Sequence, residues 1–374
     1  MSNENYVVVF PSLFAENKIS LLIENIKKIL KSKNQHYSKI SRDGNLILVD
    51  ANDPVFASTT IILLFGIKQI IIAKKIKNDF ITVVDQINKV GSSLLLKGEK
   101  FYVNIQGVPK GYVTKDAELS ATSSLIENNK NINAKPGTEE KHDKMLFAYI
   151  TKSNAYVSIF SDNGLGGTVN NSQKQKVVCG IFDEFSALAC LETIKQGFEV
   201  KIVVFYQKHS ELVNLVKILQ KIIPRTLETT SNIEFYKMQI SASKLITKNY
   251  LVTEILSKIA SKEKISHISL SLSPLVFPSS FMKKLQTRVF ELGLIPVIPL
   301  SGIDSGIFDN AREIDLEKYI VKIEKLLRTK VLEKPQSKIS NSTINHILKS
   351  RKAVSIKSGP NMIHEVLDSL EVKH

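Results

Sequence analysis

Two cysteines in 374 residues, Cys179 and Cys190, are too few for a disulfide framework or a four-thiolate metal site. Such sparse use of cysteine fits a reducing compartment. The histidines show no metal-ligand pattern either. His36, His142, His209, His267, His346, His364 and His374 are dispersed, with no HxxxH or Cys/His spacing. No metal ligand can be named, and no catalytic residue. Met1–Tyr6 carries no positive segment leading into an apolar one, so no signal peptide is expected. The most apolar early stretch, Pro54 to Ile72, is broken by Lys68 and Gln69, and its uncharged part is too short to span a bilayer. It reads as core. The expectation is a cytoplasmic chain with no membrane partner.

Acidic residues are also in short supply. Lys and Arg outnumber Asp and Glu 51 to 36, a net charge of +15. A basic excess of this size points to an anionic partner, because phosphate neutralisation drives nucleic-acid affinity. The plain alternative is a solvated basic surface. The densest stretch is 321–357, where ten Lys/Arg face only Glu324 and Glu333.

Length and patterning suggest several α/β units. Tyr6–Phe10 is β-prone. Ile19, Leu22, Ile23, Ile26, Ile29 and Leu30 recur at helical spacing. A turn at Asp43-Gly44 leads into a strand at Asn45–Val49, Pro54 opens a helix that ends near Gly66, and Ile67–Ala73 is strand-like. Residues 1–75 therefore read as a ferredoxin-like domain. A second unit, 76–165, has a helix through Ile81, Val84, Ile87 and Val90, a strand at Lys100–Ile105 and a helix at Glu118–Glu127. The polar stretch Asn128–Lys144 reads as a mobile loop, and Met145–Phe160 as β structure ending at a turn, Asp162-Asn163-Gly164. From 170 to 330 strands and helices alternate regularly, which predicts a doubly wound parallel sheet. Residues 331–374 read as a basic tail, with a short helix at Met362–Leu370.

Ligands of such sheets bind at the carboxyl ends of the strands. A phosphate loop there needs glycines, so that backbone amides can approach the phosphates. The first strand-to-helix turn holds only Gly180, followed by Ile181, Phe182, Asp183, Glu184, Phe185 and Ser186. These side chains obstruct close approach, and Asp183 and Glu184 repel phosphate while suiting a helix N-terminus. No nucleotide cofactor is expected. Cys179 and Cys190, among apolar neighbours, read as small buried residues rather than reactive thiols.

The stretch NGLGGTVNNSQKQKVVCGIFDEFSALACLETIKQGFEVKIVVFY resembles the start of the catalytic domain of tRNA 4-thiouridine synthetases, also called thiamine-biosynthesis sulfurtransferases. That family has a glycine-rich lead-in, an apolar strand, an SGGxDS pyrophosphatase (PP) loop and a helix. Counted back from Gly197, the SGGxDS positions fall on Ile181 to Ser186, and only Ser186 matches. The lead-in is partly kept as Gly164, Gly166 and Gly167. FYVNIQGVPKGYVTKDAELSATSSLIE resembles the family's THUMP pattern, and Pro299, Leu300, Gly302 and Asp304 are similar to its P-L-x-G-x-D segment. Asp304 reads equally as a turn or cap residue. The resemblance spans roughly residues 1–330. It implies a ferredoxin-like plus THUMP unit, a PP-loop-type α/β domain, and binding of tRNA or another structured RNA.

Contact with RNA is expected first at Lys97, Lys100, Lys110 and Lys115, with Tyr102 and Tyr112 interleaved for base stacking. A second basic set, Lys27, Lys28, Lys31 and Lys33, also suits the dipole at a helix end. The leading expectation is an RNA-binding relative without ATP-dependent catalysis. An active sulfurtransferase using ATP and magnesium through a divergent loop is the alternative, and a protein-assembly scaffold is a third. Whether two copies pair as a homodimer stays open.

Overall fold

The computed structural model describes residues 5–238, 245–302, 305–314, 316–317, 321, 324–325, 340–357 and 361–370. The chain divides into two compact units, 1–166 and 167–374. Among the described residues no helix is long and apolar enough to cross a membrane.

The first unit begins β1 (Asn5–Pro11), α1 (Ile19–Ser32), β2 (Tyr37–Asp43), β3 (Leu46–Ala51), α2 (Pro54–Ile61) and β4 (Ile67–Lys77). This βαββαβ order is ferredoxin-like, with one strand more than the sequence reading. On α1, Leu22, Ile26, Ile29 and Leu30 are buried, as their spacing predicts. Asp53 caps α2 by accepting from the amides of Val55 and Phe56, and Pro54 occupies the first turn where no donor is missed.

The unit continues with α3 (Phe80–Leu94), β5 (Lys100–Gly107), α4 (Thr114–Asn128), β6 (Lys135–Pro136), β7 (Lys144–Ile150) and β8 (Asn154–Gly166). All eight strands form one sheet, ordered β2-β3-β1-β4-β8-β7-β5-β6, so the two segments read as separate domains share a single sheet. Val83, Ile87 and Val90 of α3 pack with Phe101, Val103 and Ile105 of β5, whereas Ile81, expected inside, is 70% exposed. On the other face the sheet curls. Phe10 of β1 meets Phe147 and Tyr149 of β7, with ring centroids 6.2 and 4.9 Å apart, although two strands lie between them.

Two loop expectations are corrected. Asp162-Asn163-Gly164 is not a turn, because β8 runs through it, pairing Asp162 with Ile70 and Asn163 with Gln69. Nor is 128–144 without structure. β6 pairs with Lys100 and Phe101, and Asp143 both donates to the Lys100 carbonyl and accepts from the Lys100 amide.

Asp43 fastens the β2–β3 hairpin to the β7–β8 hairpin. Its Oδ2 accepts from Thr151 Oγ1 (2.8 Å), Asn154 Nδ2 (2.9 Å) and Tyr156 OH (2.7 Å). Burial pushes this carboxyl up, but the three hydrogen bonds and Lys75 outweigh it and hold the group below its ordinary value. Gly107 ends β5 with φ +110°, and an added Cβ would lie 2.0 Å from the Ile150 carbonyl oxygen. Gly107→Ala is therefore expected to cost about 3 kcal/mol in a thermal melt, and a loss below about 1 kcal/mol would contradict this close approach.

The second unit contains β9 (Lys176–Ile181), α5 (Glu184–Lys195), β10 (Glu199–Tyr206), α6 (His209–Ile222), β11 (Thr230–Lys237), α7 (Leu245–Glu263), β12 (His267–Ser269), α8 (Ser279–Glu291), β13 (Ile295–Val297) and α9 (Ser305–Glu313). It closes with α10 (Asn341–Lys349), β14 (Lys352–Lys357) and α11 (Met362–Leu370). The sheet order is β13-β12-β9-β10-β11-β14, parallel except for β14. Part of the segment read as a basic tail belongs to this sheet, since β14 pairs along β11 from Thr230↔Lys357 to Phe235↔Lys352. The amphipathic pattern of 315–328, which reads as a further helix, falls mostly outside the described residues.

Glu234 of β11 is 5% exposed and holds this edge together. Its Oε1 accepts from Lys201 (3.1 Å) and Arg351 (2.9 Å), and its Oε2 from Tyr236 OH (2.6 Å). Burial alone would raise its pKa, but Arg351, Tyr236 and Lys201 hold it down to about 2, against an ordinary 4.5. A depressed carboxylate stabilises the fold above its unfolded pKa and loses that contribution as pH falls through its folded one. The contribution, on the order of 3 kcal/mol at most, is thus expected intact above pH 4.5 and lost toward pH 2. Unfolding of wild type and Glu234→Gln should differ at neutral pH and converge on acidification; a gap that stays constant would contradict the assignment.

Candidate functional site

β9 is central in its sheet. The chain moves outward to β10 and β11, then returns to place β12 on the other side of β9. The carboxyl end of β9 thus lies at the switch point where such sheets hold ligands. The loop that follows it is the one singled out from sequence.

That loop is closed upon itself. Asp183 is the N-cap of α5, its Oδ1 accepting from the Ser186 amide at 2.8 Å. Ser186, fully buried, reaches back with its hydroxyl, which accepts from the amides of Phe182 (2.8 Å) and Asp183 (2.9 Å) and lies 2.8 Å from the Asp183 carbonyl, to which it donates. One donor and two acceptor positions exhaust a hydroxyl. The two amides best placed to meet a phosphate are already bonded.

Lys248 of α7 covers the same loop. Its Nζ donates to the Phe182 carbonyl (3.0 Å) and sits 5.2 Å from the Phe182 ring centroid. Burial pushes the Asp183 carboxyl above its ordinary value, against the pull of Lys248 and the Ser186 amide. Ile181, Phe182 and Phe185 are buried, and Glu184 is half-buried. Gly180 makes room for protein, not ligand. A Cβ there would stand 3.1 Å from Leu256 and Val252 and 3.3 Å from Phe205. Lys248 went unnoticed in the sequence, because no spacing rule links it to a loop 66 residues away.

Cys179 and Cys190 are both 1% exposed. A hydrogen bond to Cys179, together with burial, holds the Cys190 thiol well above its ordinary value. This fits the expected small buried residues. The glycine lead-in is packed at Gly164 and Gly167 but open at Gly166. Gly164 and Gly166 belong to β8, and Gly167, at φ +74°, would press a Cβ to 2.7 Å from the Lys195 carbonyl oxygen. Asp304 lies outside the described residues. Among the described residues no group of His, Cys, Asp and Glu could hold a metal ion.

The expected RNA contacts do not form one cluster. Lys97 and Lys100 are exposed at the start of β5, whereas Lys110 and Lys115 follow its end. Seven residue steps of strand separate the two ends by about 23 Å. Lys115 is bonded to Glu118 at 3.0 Å, which raises its pKa. Tyr112 is structural: its ring packs edge-on against Phe80 (5.6 Å) and its hydroxyl donates to Asn78 Oδ1. Tyr102 is half-buried beside His142, centroids 5.8 Å apart, on the strand face it shares with Asn104 and Gln106. Lys27, Lys28 and Lys31 are exposed on α1, and Lys33 caps its end.

The fold is that of a two-unit α/β protein: a ferredoxin-like start continued into one eight-stranded sheet, then a doubly wound, mostly parallel sheet. Solved structures share this architecture. Crystalline PH1313 from Pyrococcus horikoshii Ot3 is 19% identical with TM-score 0.60, covering 83% of this chain and 100% of its own. A 4-thiouridine synthetase, crystallised as an RNA complex with bound ATP, is 16% identical with TM-score 0.62, covering 95% of this chain and 100% of its own. No protein-family model and no curated protein matches the chain.

Proposed function

We propose that the chain is a cytoplasmic, RNA-binding protein directed to tRNA, akin to 4-thiouridine synthetases but without ATP-dependent sulfur transfer. RNA binding is supported by the shared fold with a synthetase–RNA complex and by the net charge of +15. The loss of catalysis rests on one observation, the Ser186 hydroxyl seated on the Phe182 and Asp183 amides. A triphosphate would have to displace that hydroxyl, move Lys248 and lie against the Asp183 carboxyl. The residues of the loop do not fit ATP, so no step through the nucleotide is assigned. The test is pyrophosphate release from ATP and magnesium with tRNA present. None above the protein-free rate is expected, and sustained release would overturn the non-catalytic reading.

A further inference from the structure

A cavity of about 250 Å3 opens in the second unit away from the β9–α5 loop, bordered by Glu234, Tyr236, Lys258, Lys262, Leu348 and Arg351. Its two carboxylates are already committed. Glu234 is bonded by Lys201, Arg351 and Tyr236, and Glu263, which also lines the cavity, accepts from Lys201 at 2.5 Å. Its two lysines are not. Lys262 has no polar partner among the described residues, and Lys258 meets only the neutral amide of Asn345 at 3.2 Å. Arg351 uses one guanidinium nitrogen on Glu234, which orients the rest of the fork. Three lining cations (Lys258, Lys262, Arg351) stand against two lining carboxylates that Lys201, behind them, already neutralises in part, so the cavity carries a positive excess.

We propose that this cavity is a phosphate site, taking either a free phosphate compound or a phosphodiester of an RNA backbone. Lys258 and Lys262 lie one helical turn apart on the same face of α7, so their ammonium groups can converge on one anion. Arg351 supplies a planar donor pair suited to phosphate oxygens. Ile259 and Leu348 give the cavity an apolar side. The site does not depend on the RNA reading of the first unit or on the state of the Phe182–Ser186 loop.

The test is a calorimetric titration of the full chain with inorganic pyrophosphate at low ionic strength, paired with filter binding of an RNA duplex. Lys262→Glu is compared with Lys283→Glu, the same charge change on the exposed face of α8. Saturable pyrophosphate binding, weakened at least about tenfold by Lys262→Glu and unchanged by Lys283→Glu, is expected. A parallel selective loss of RNA affinity assigns the phosphate to a nucleic-acid backbone, and retained RNA affinity assigns it to a free compound. Equal losses in both variants, or no selective effect of Lys262→Glu on either ligand, overturn the proposal. Melting curves of both variants confirm that each remains folded.

Discussion

Ser186→Ala is expected to destabilise the second unit by roughly 2 to 5 kcal/mol. Alanine removes a hydroxyl that accepts two backbone donors and donates to a carbonyl. The Phe182 amide is buried, so without this acceptor it bears the desolvation cost of an unmade bond. Half of the capping box also disappears, leaving only the bond from the Ser186 amide to Asp183. For a unit of this size the melting temperature should fall by roughly 5 to 15 °C. A shift under about 2 °C would mean that the loop does not depend on this hydroxyl. The freed amides alone should not restore nucleotide binding, because Lys248 still holds the Phe182 carbonyl and Asp183 remains beside them.

Reversing three lysines should have the largest effect on RNA affinity. Lys97, Lys100 and Lys110 replaced together by glutamate are expected to weaken tRNA binding by about a hundredfold at low salt, and to flatten the plot of log affinity against log salt by close to three. Lys115 is left out because Glu118 already neutralises it. Tyr102→Ala should act differently, lowering affinity about tenfold through lost stacking while leaving the slope unchanged. Tyr112→Ala should lower stability instead, since its ring and hydroxyl are committed to Phe80 and Asn78. An undiminished slope in the triple variant would move the RNA surface elsewhere, with α1 the next place to reverse charges.

Much of the fold was legible because its elements repeat at their own periods. Gly197, just past α5, has the left-handed φ of +88° that a glycine after a helical run signals, and α6 ends at Ile222, just ahead of the helix-stopping Pro224. Strands with ambiguous or polar patterns were missed. β2 reads Tyr-Ser-Lys-Ile-Ser-Arg-Asp and is held at the sheet edge by pairing with β3, not by its own burial. Asp162-Asn163-Gly164 has turn composition, yet β4 supplies the partner strand that extends it. β14 was hidden in a basic segment because its partner strand β11 lies more than a hundred residues earlier in the sequence, Ile233 pairing with Val354, and no local signal spans such a distance.

The site was half legible. Missing glycines indicated an obstructed phosphate loop, and the structure adds what obstructs it: a serine hydroxyl from within the loop and a lysine from α7. The RNA contacts were less legible. Lysines close together in sequence fall at opposite ends of β5, because an extended strand carries its neighbours apart.

The most direct test is filter binding of unmodified tRNA to the full chain between about 50 and about 200 mM salt, with and without ATP and magnesium. Affinity should fall steeply with salt, along a line that nucleotide does not move. Failure to retain tRNA at the lowest salt, or tighter retention when ATP is added, would contradict an RNA-binding protein whose nucleotide loop is sealed.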